Sequence, residues 1–332
     1  MTLQEARAAF HQYLDTLSAY QHASSLISYD GSTTAPKGTA SNRAHTQGIL
    51  SEVMYKLGTE PALLEAMELL DANREALTEA ERREVYLELK HIREMQKIPM
   101  EEYVSFESFL VEADDVWHTA KETNDFPLFE PYLQRIFDTT RKFAGYVAPE
   151  KDPYDYCLDK FEEGLNRETC DRFFSEVRSR LVPLLRKIAE KPQVDDSLLH
   201  GCFPEPEQDK LSHRLMEIMG IDLQHCGLGT TEHPFTTSFG SHRDVRITTH
   251  YFEDNFVSSM YSVIHEGGHA QYMLGVSDDY LYTNLDDGAS MGLHESQSRF
   301  YENLIGRSLP FCRYILPVMR ELWPEQMKGI TP

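Results

Sequence analysis

The chain is organised around the stretch Val263-Ile264-His265-Glu266-Gly267-Gly268-His269-Ala270-Gln271, whose residue pattern is typical of a helix. Residues four apart lie one above the other on the same helix face, so the imidazoles of His265 and His269 can converge on one metal ion. Zinc is the usual metal for such a pair. Glu266 projects beside that face, where a carboxylate can accept a proton from a water molecule on the metal. A chance occurrence of this spacing in a histidine-rich helix is the alternative that the surrounding sequence has to exclude.

The residues around this motif favour a buried helix. Asp254 or Asn255 can cap its start, and an apolar stripe at helical spacing follows, consisting of Phe256, Met260, Val263 and Ile264. Gly267 and Gly268 break the pattern, because each costs roughly 1 kcal/mol relative to alanine inside a helix. We therefore expect a close approach to the backbone at these glycines, by a packed neighbour or by a substrate strand.

A catalytic zinc normally has three protein ligands, so the histidine pair needs a third. The metzincin pattern would require glycine and histidine where Tyr272 and Gly275 stand, which excludes that class. Another common solution is a glutamate on a following helix, and the helical pattern over 289–303 offers Glu295. We expect this helix to return antiparallel to the first, with Arg299 orienting the Glu295 carboxylate. A surface pair of Glu295 and Arg299 is the alternative.

Composition restricts the class of protein. The 332 residues are 41% hydrophobic and 26% charged, which is ordinary for a globular chain, and the net charge is −22. Such a charge repels nucleic acid and anionic membrane surfaces, so we expect neither as a partner. No apolar run approaches the roughly 20 residues of a membrane span, and no signal peptide is evident. Five widely spaced cysteines without a Cys-x-x-Cys pair predict buried free thiols in a reducing cytoplasm.

Helical periodicity dominates the N-terminal half of the chain. Thr2 and Glu5 form a possible capping box, and helices are predicted over 3–28, 41–57, 61–73, 78–97, 100–124, 128–147 and 167–191. A loop is predicted over 29–38, and Pro183 should kink or split the last of these helices. Residues 234–252 are rich in Thr, Val, Ile and Phe, which predicts two strands joined by a tight turn. We expect these strands to lie beside the helix that carries His265 and His269. We predict a mainly α fold in one domain covering 1–332.

Four short motifs follow one another in the chain: His233-Pro234-Phe235, Asp244-Val245-Arg246-Ile247-Thr248, the stretch His265 to His269, and His294-Glu295-Ser296-Gln297. With these motifs in this order, the chain resembles the thermostable carboxypeptidase family of zinc metallopeptidases, whose type member is carboxypeptidase Taq. Segments 29–43 and 153–164 are also similar, although Tyr29 replaces a usual Trp and Glu163 a usual Pro. The family's later Ile/Asn-Arg-x-x-Ala/Ser-Asp and Gly-x-x-Gln-Asp-x-His-Trp motifs do not occur. The resemblance therefore covers the N-terminal two-thirds of the family domain.

The resemblance implies a metallocarboxypeptidase that releases single residues from peptide C-termini. Zinc, replaceable by Co²⁺, would be held by His265, His269 and Glu295, with Glu266 as general base. The residues expected to line the substrate cleft are His233, Asp244, Arg246, Thr248 and His294. A deep groove between helical walls, a homodimer and broad specificity with poor release next to proline are implied as well. The absent arginine motif is expected to bind the peptide carboxylate. Two alternatives stay open: a helical zinc oligoendopeptidase, and a truncated zinc-binding protein without catalysis.

Overall fold

The computed structural model describes residues 1–331 apart from the side chain of Leu198, and most of these residues lie in helices. The α-helices are α1 (Leu3–Thr33), α2 (Ala40–Gly58), α3 (Pro61–Ala72), α4 (Glu79–Met95), α5 (Met100–Thr123), α6 (Phe126–Val147), α7 (Pro153–Phe161), α8 (Arg167–Ala189), α9 (Glu205–Ile218), α10 (Phe256–Leu274), α11 (Met291–Arg299) and α12 (Leu309–Leu322). The strands are β1 (Cys226–Thr230), β2 (Thr236–Ser238) and β3 (Val245–Thr249), and a π-helix spans Phe300–Gly306. The predicted mainly α fold with a short sheet is confirmed.

Side chains fix the starts of several helices. The predicted capping box of α1 is present, because Thr2 accepts a hydrogen bond from Glu5 N–H at 3.2 Å and Glu5 accepts one from Thr2 N–H at 2.7 Å. Asn166 accepts from the N–H of Thr169 at 3.0 Å and caps α8. Asn255 accepts from Ser258 N–H at 3.3 Å and so caps α10, the helix that carries the His-Glu-x-x-His motif.

Three expectations about local structure need correction. The loop predicted to begin at residue 29 begins after Thr33, because α1 continues through Gly31, where an added Cβ would lie 2.8 Å from Arg43 Nε. Helix α8 is not split at Pro183 but continues to Ala189. All five cysteines are free thiols, yet only Cys226 is buried, so the prediction of buried thiols is wrong for the other four.

The β structure is larger than the two predicted strands. β2 and β3 lie within 234–252, as predicted, and β1 joins them in a three-stranded sheet with the order β1-β3-β2. Strand β3 contacts the start of α10, because the buried Thr249 hydroxyl donates to the carbonyl of Ser259 at 3.5 Å. The sheet therefore lies beside the helix with the histidine pair, which is where the prediction placed it.

The chain divides into two compact units. The first contains Met1–Glu150, Thr237–Arg246 and Met273–Ala289, and the second contains Lys151–Thr236, Ile247–Tyr272 and Ser290–Pro332. Apolar faces of α1, α3 and α4 form a core in the first unit, including Phe10, Leu14, Met67, Leu70, Leu89 and Ile92. Across the described part of the chain, no helix combines the length and the apolar composition that a membrane crossing requires.

The core of the second unit anchors the start of α10. Phe203, Phe256 and Trp323 are fully buried, and their ring centroids lie 4.5 to 5.2 Å apart. Aromatic groups at this spacing contribute large apolar burial together with favourable ring contacts. Because Phe256 is the first residue of α10, this cluster fixes the end of the helix that leads to the histidine pair.

Glu84 on α4 gives the first unit a pH-dependent stability. The residue is only 4% exposed, and its Oε1 has no hydrogen-bond partner among residues 1–331. Burial, with the like charge of Glu88, raises the pKa of Glu84 from 4.5 to about 7. The folded chain therefore keeps this proton over a pH range in which the unfolded chain has lost it. The free energy of unfolding then falls as the pH rises from about 4.5 to about 7, by a total of about 3 kcal/mol.

We expect Glu84→Gln to remove this pH dependence, because glutamine does not ionise. Relative to the variant, the wild type should lose about 3 kcal/mol of unfolding free energy between about pH 5 and about pH 8. Urea denaturation at the two pH values measures the difference. Glu65→Gln, the same charge change at an exposed position on α3, serves as control. Identical pH profiles for the wild type and the Glu84 variant would contradict the prediction.

Candidate metal centre and active site

Three predicted ligands converge in the second unit. Single donor atoms of His265, His269 and Glu295 all lie within 4.8 Å of one another. The Nε2 atoms of His265 and His269 lie 3.6 and 3.4 Å from Glu295 Oε2. Two imidazole nitrogens and one carboxylate oxygen form the donor set of a catalytic zinc site and leave a fourth position for water or substrate. The residues present therefore fit a zinc ion.

Helix α10 holds the two histidines on a rigid base. Its predicted apolar stripe is buried, and consists of Phe256, Met260, Val263 and Ile264. The rings of His265 and His269 follow one turn apart, with their centroids separated by 5.1 Å. Because the stripe faces the core, the histidines are only partly buried and present their Nε2 atoms toward Glu295.

The two glycines between the histidines explain how α11 reaches the pair. A Cβ on Gly268 would lie 2.8 Å from the Ser298 Cα and 3.0 Å from the Gln297 carbonyl oxygen. A Cβ on Gly267 would instead lie 2.8 Å from the terminal methyl of Met219. The expected close approach is therefore made by packed neighbours, and at Gly268 the neighbour is the backbone of the helix that carries Glu295.

Gly268→Ala should push α10 and α11 apart, whereas Gly267→Ala should be tolerated. Both changes add one methyl group and the same helix propensity, but only at Gly268 does the methyl meet backbone. We expect Gly268→Ala to lower the free energy of unfolding by about 1–3 kcal/mol and to weaken zinc binding. Gly267→Ala should change stability by less than about 1 kcal/mol, because the end of Met219 can move. Chemical denaturation and zinc titration measure both effects, and equal losses would refute the argument.

Glu302 orients His265 from the side away from Glu295. It is 8% exposed, and its carboxylate accepts hydrogen bonds from His265 Nδ1 at 2.9 Å, Arg299 Nη1 at 3.2 Å and Arg307 Nη2 at 2.8 Å. A hydrogen on Nδ1 leaves the lone pair of His265 on Nε2, the atom that faces Glu295. No feature of the sequence indicated this contact between Glu302 and His265.

His294 orients His269 as Glu302 orients His265, through a contact with the Nδ1 atom of the ring. The two Nδ1 atoms are 2.6 Å apart, so one nitrogen donates to the other. The Tyr272 ring stands edge-on to His294, with the centroids 5.1 Å apart. Burial, together with the neighbouring His294 and His265, lowers the pKa of His269 to about 4. His269 is therefore neutral near pH 7, which is the state in which an imidazole can bind a metal.

Glu295 is kept ionised by its neighbours on α11. Arg299 Nε donates to Glu295 Oε1 at 2.7 Å and the Ser298 hydroxyl donates to Oε2 at 3.1 Å. Burial opposes the charge, but the hydrogen bond from Arg299 and the nearby His265 lower the pKa of Glu295 below its ordinary value. The contact between Arg299 and Glu295 is the one that their spacing predicted.

The side chain of Glu266 on α10 contacts Thr236, the first residue of β2. It is 7% exposed, and the Thr236 hydroxyl lies 2.7 Å from its carboxylate and 3.1 Å from its main-chain carbonyl oxygen. Burial raises the pKa of Glu266, while the hydrogen bond from Thr236 acts in the opposite direction. Thr236 follows directly after the His-Pro-Phe motif, so that motif positions a residue in contact with Glu266. This contact was not predicted from the sequence.

The residues predicted to line the substrate cleft lie in different local environments. Thr248 is fully buried, and its hydroxyl accepts from Phe235 N–H at 2.8 Å and donates to Phe235 O at 3.0 Å. It therefore fixes the segment that contains the exposed His233. Asp244 and Arg246 belong to the first unit, where Arg246 Nη2 pairs with Asp244 Oδ1 at 2.7 Å. His294 contacts the predicted ligand His269, whereas Thr248 supports neighbouring backbone.

Comparison with known proteins identifies the family. The family described as carboxypeptidase Taq (M32) metallopeptidase matches residues 9–331. The chain belongs to the M32 metallopeptidase family. A carboxypeptidase 1 from Bacillus subtilis (strain 168) is 35% identical over 323 residues, which are 97% of this M32 chain and 64% of that protein. The resemblance drawn from the four sequence motifs is thereby confirmed.

Solved structures of the M32 family have the same fold. A crystal structure described as BsuCP has a TM-score of 0.95 at 34% identity and covers 98% of this chain and 66% of that one. A Pyrococcus furiosus carboxypeptidase has a TM-score of 0.87 at 34% identity, with coverage of 98% and 66%. This M32 chain thus spans just under two-thirds of the length of the relatives that it matches.

Proposed function

We propose that this chain is a zinc-dependent metallocarboxypeptidase that releases single residues from the C-termini of peptides. The observation that carries the proposal is the convergence of His265, His269 and Glu295, with Glu266 next to the first histidine. Membership of the M32 family and the carboxypeptidase names of its relatives support the reaction class. The proposal concerns this chain of 332 residues, which matches part of the length of those relatives.

His265, His269 and Glu295 would hold the metal, for which we propose Zn²⁺ with Co²⁺ as a possible substitute. Zinc, when bound, would polarise the scissile carbonyl and lower the pKa of a water molecule toward neutrality. Glu302 and His294 would hold the two imidazoles in the orientation that this binding requires, and Arg299 would hold Glu295.

Glu266 would act as the general base and then as the general acid. Its carboxylate would accept a proton from the attacking water and donate that proton to the departing amine. The Thr236 hydroxyl, 2.7 Å from one carboxylate oxygen, would hold this side chain in one orientation. Because Glu266 is largely buried, little solvent competes for the proton that it carries.

Substrate contacts are proposed for the motif residues outside the metal cluster. His233, Asp244, Arg246 and His294 would line the cleft, and Thr248 would act indirectly through the backbone of the His-Pro-Phe segment. We propose peptides as the substrates, without nucleic acid or membrane partners, since the net charge of −22 repels both phosphate backbones and anionic lipid. A homodimer and a cytoplasmic location complete the proposal.

The proposal is tested with the purified chain and defined peptides. After zinc loading and removal of excess metal, we expect one zinc per chain and release of the C-terminal residue from an N-blocked dipeptide. The same dipeptide as its C-terminal amide is the matched control, and it should be cleaved much more slowly. Metal content by mass spectrometry and amino-acid release by chromatography give the two measurements. Zinc uptake without cleavage of any peptide would overturn the catalytic part of the proposal.

An endopeptidase is the second candidate. The His-Glu-x-x-His helix and its third glutamate ligand would serve cleavage within a peptide as well as at its end. Rapid cleavage of internal bonds in a peptide blocked at both termini would favour this candidate. The carboxypeptidase assignment of the matching family favours the first.

A further inference from the structure

The first unit contains a cavity of about 480 Å³ that the proposed function does not use. It is lined by residues of α1, α2, α4 and α5 and by Asn284, all of which belong to that unit. Among its lining residues, Gln21, His91 and Asn284 are exposed, whereas Tyr13 and Glu88 are buried. The volume lies within the range of small-molecule sites, about 300–1,000 Å³.

A buried carboxylate lines this cavity. Glu88 is only 3% exposed, and its two oxygens accept from the Tyr13 hydroxyl and the Asn284 side-chain amide, the latter at 2.7 Å. Both of these partners are neutral. A buried charge is stabilised by an opposite charge as well as by hydrogen bonds. A cation in the cavity would therefore supply the counter-charge that the two neutral partners of Glu88 do not.

Glu84, one helical turn before Glu88, is a second buried acidic group whose charge a nearby cation would stabilise. It is buried, and its Oε1 has no hydrogen-bond partner in the part of the chain that the structure describes. Burial and the like charge of Glu88 raise the pKa of Glu84 to about 7. Two acidic groups are thus held together in a buried stretch of α4, and a nearby cation would relieve their repulsion.

Three tyrosines supply the rest of the recognition surface. The Tyr55 and Tyr103 ring centroids lie 5.7 Å apart at an angle of 42°, and Tyr13 contacts Glu88. The Tyr55 hydroxyl donates to the Ile98 carbonyl at 2.9 Å, so both Tyr13 and Tyr55 have their hydroxyls engaged. The parts of the Tyr13 and Tyr55 rings left for a ligand are aromatic carbon, which attracts cations through its quadrupole.

We propose that this cavity binds a small organic ammonium ion, with its charge against Glu88 and its carbon groups against the three tyrosines. An anion would be repelled by Glu88, and a neutral molecule would leave the carboxylate without a counter-charge. A bare Ca²⁺ or Mg²⁺ ion would require about six oxygen ligands, and the apolar lining by Leu17, Met54 and Met95 does not supply them. The proposal does not depend on peptide hydrolysis.

The test uses the full chain and three probes of similar size. Choline is a quaternary ammonium ion whose nitrogen has no lone pair for a metal. The second probe, n-butylammonium, is a primary ammonium ion, and 3,3-dimethylbutan-1-ol is the neutral counterpart of choline. We expect saturable binding of at least one ammonium ion to a single site by calorimetry, and no measurable binding of the neutral alcohol. Near-ultraviolet tyrosine absorbance should change with the same concentration dependence, because three tyrosines line the cavity.

Glu88→Gln keeps the shape and the acceptor for Tyr13 but removes the charge, so the affinity for the ammonium probe should fall at least about tenfold. Glu65→Gln, an equal charge change at an exposed position, should leave it within about twofold. Tyr103→Leu keeps an apolar lining but removes one aromatic face, and provides a second test if the Glu88 variant does not fold. It should weaken binding about fivefold or more.

Four outcomes would overturn the proposal. They are the absence of ammonium binding to the folded chain, equal binding of the neutral alcohol, unchanged affinity in Glu88→Gln, and unchanged affinity in Tyr103→Leu. Because peptide cleavage is not measured in these titrations, a chain that fails as a peptidase can still bind the ammonium probe. The two proposals therefore fail separately.

Discussion

Replacing Glu266 with glutamine is expected to lower peptide hydrolysis about 10²–10⁴-fold while leaving the zinc content unchanged. Glutamine has the same shape, and its carbonyl oxygen can still accept the hydrogen bond from Thr236. The neutral amide cannot accept a proton from water, so only the proton transfer is lost. The rate constant for release of a C-terminal residue, together with metal content by mass spectrometry, measures the two effects.

A matched control for this variant is Glu253→Gln, which makes the same change at an exposed position just before α10. We expect its rate to stay within about twofold of wild type. If Glu266→Gln kept more than about a tenth of the wild-type rate, Glu266 would not be the base. If Glu266→Gln lost its zinc, the variant would show instead that the side chain supports the metal site.

Replacing Glu302 with alanine is expected to weaken zinc binding about 10- to 100-fold. The carboxylate holds the Nδ1 hydrogen of His265 and is itself held by Arg299 and Arg307. Without it, the imidazole can rotate or place its hydrogen on Nε2, and either change removes a zinc ligand part of the time. Competition with a chromophoric chelator gives the affinity without any need for peptide turnover.

Two further variants make the Glu302 prediction specific. Glu302→Gln keeps an oxygen that can accept from His265 but lacks the charge, so its affinity should lie between wild type and alanine. Glu321→Ala removes an exposed carboxylate from α12 and should leave the zinc affinity unchanged. Equal affinities for wild type and Glu302→Ala would show that the rest of the fold already fixes His265.

Much of the metal cluster follows from sequence because it depends on local periodicity. The spacing of His265 and His269 fixes both on one face of a helix, and the two intervening glycines predict a close neighbour. At Gly268 that neighbour is α11, whose residue Glu295 lies beside both histidines. Arg299, one turn further along, also contacts Glu295 as its spacing predicted. Helix periodicity is a strong signal, and these inferences use little else.

Contacts that depend on irregular backbone or on tertiary packing were not predictable in this way. The strand β1 contains two glycines in Cys226-Gly227-Leu228-Gly229-Thr230, which gives it little strand propensity, so its pairing in the sheet decides its structure. Helix α12 contains Pro310 and Pro317. Because proline is unfavourable inside a helix, the sequence of this segment does not indicate one. The contact of Thr236 with Glu266 joins residues that are 30 positions apart, and no local rule links them.

The π-helix has a consequence for the tolerance of this segment to changes in length. Arg307 contacts Glu302 twice, because its main-chain N–H donates to the Glu302 carbonyl at 3.1 Å and its guanidinium donates to the carboxylate. The main-chain bond spans five residues, one more than in an α-helix. An α-helix turns by about 100° per residue, so deleting one residue between Glu302 and Arg307 would rotate the arginine away by that angle. Removal of the exposed Leu304 should therefore disturb the support of His265 more than substitution of the same residue.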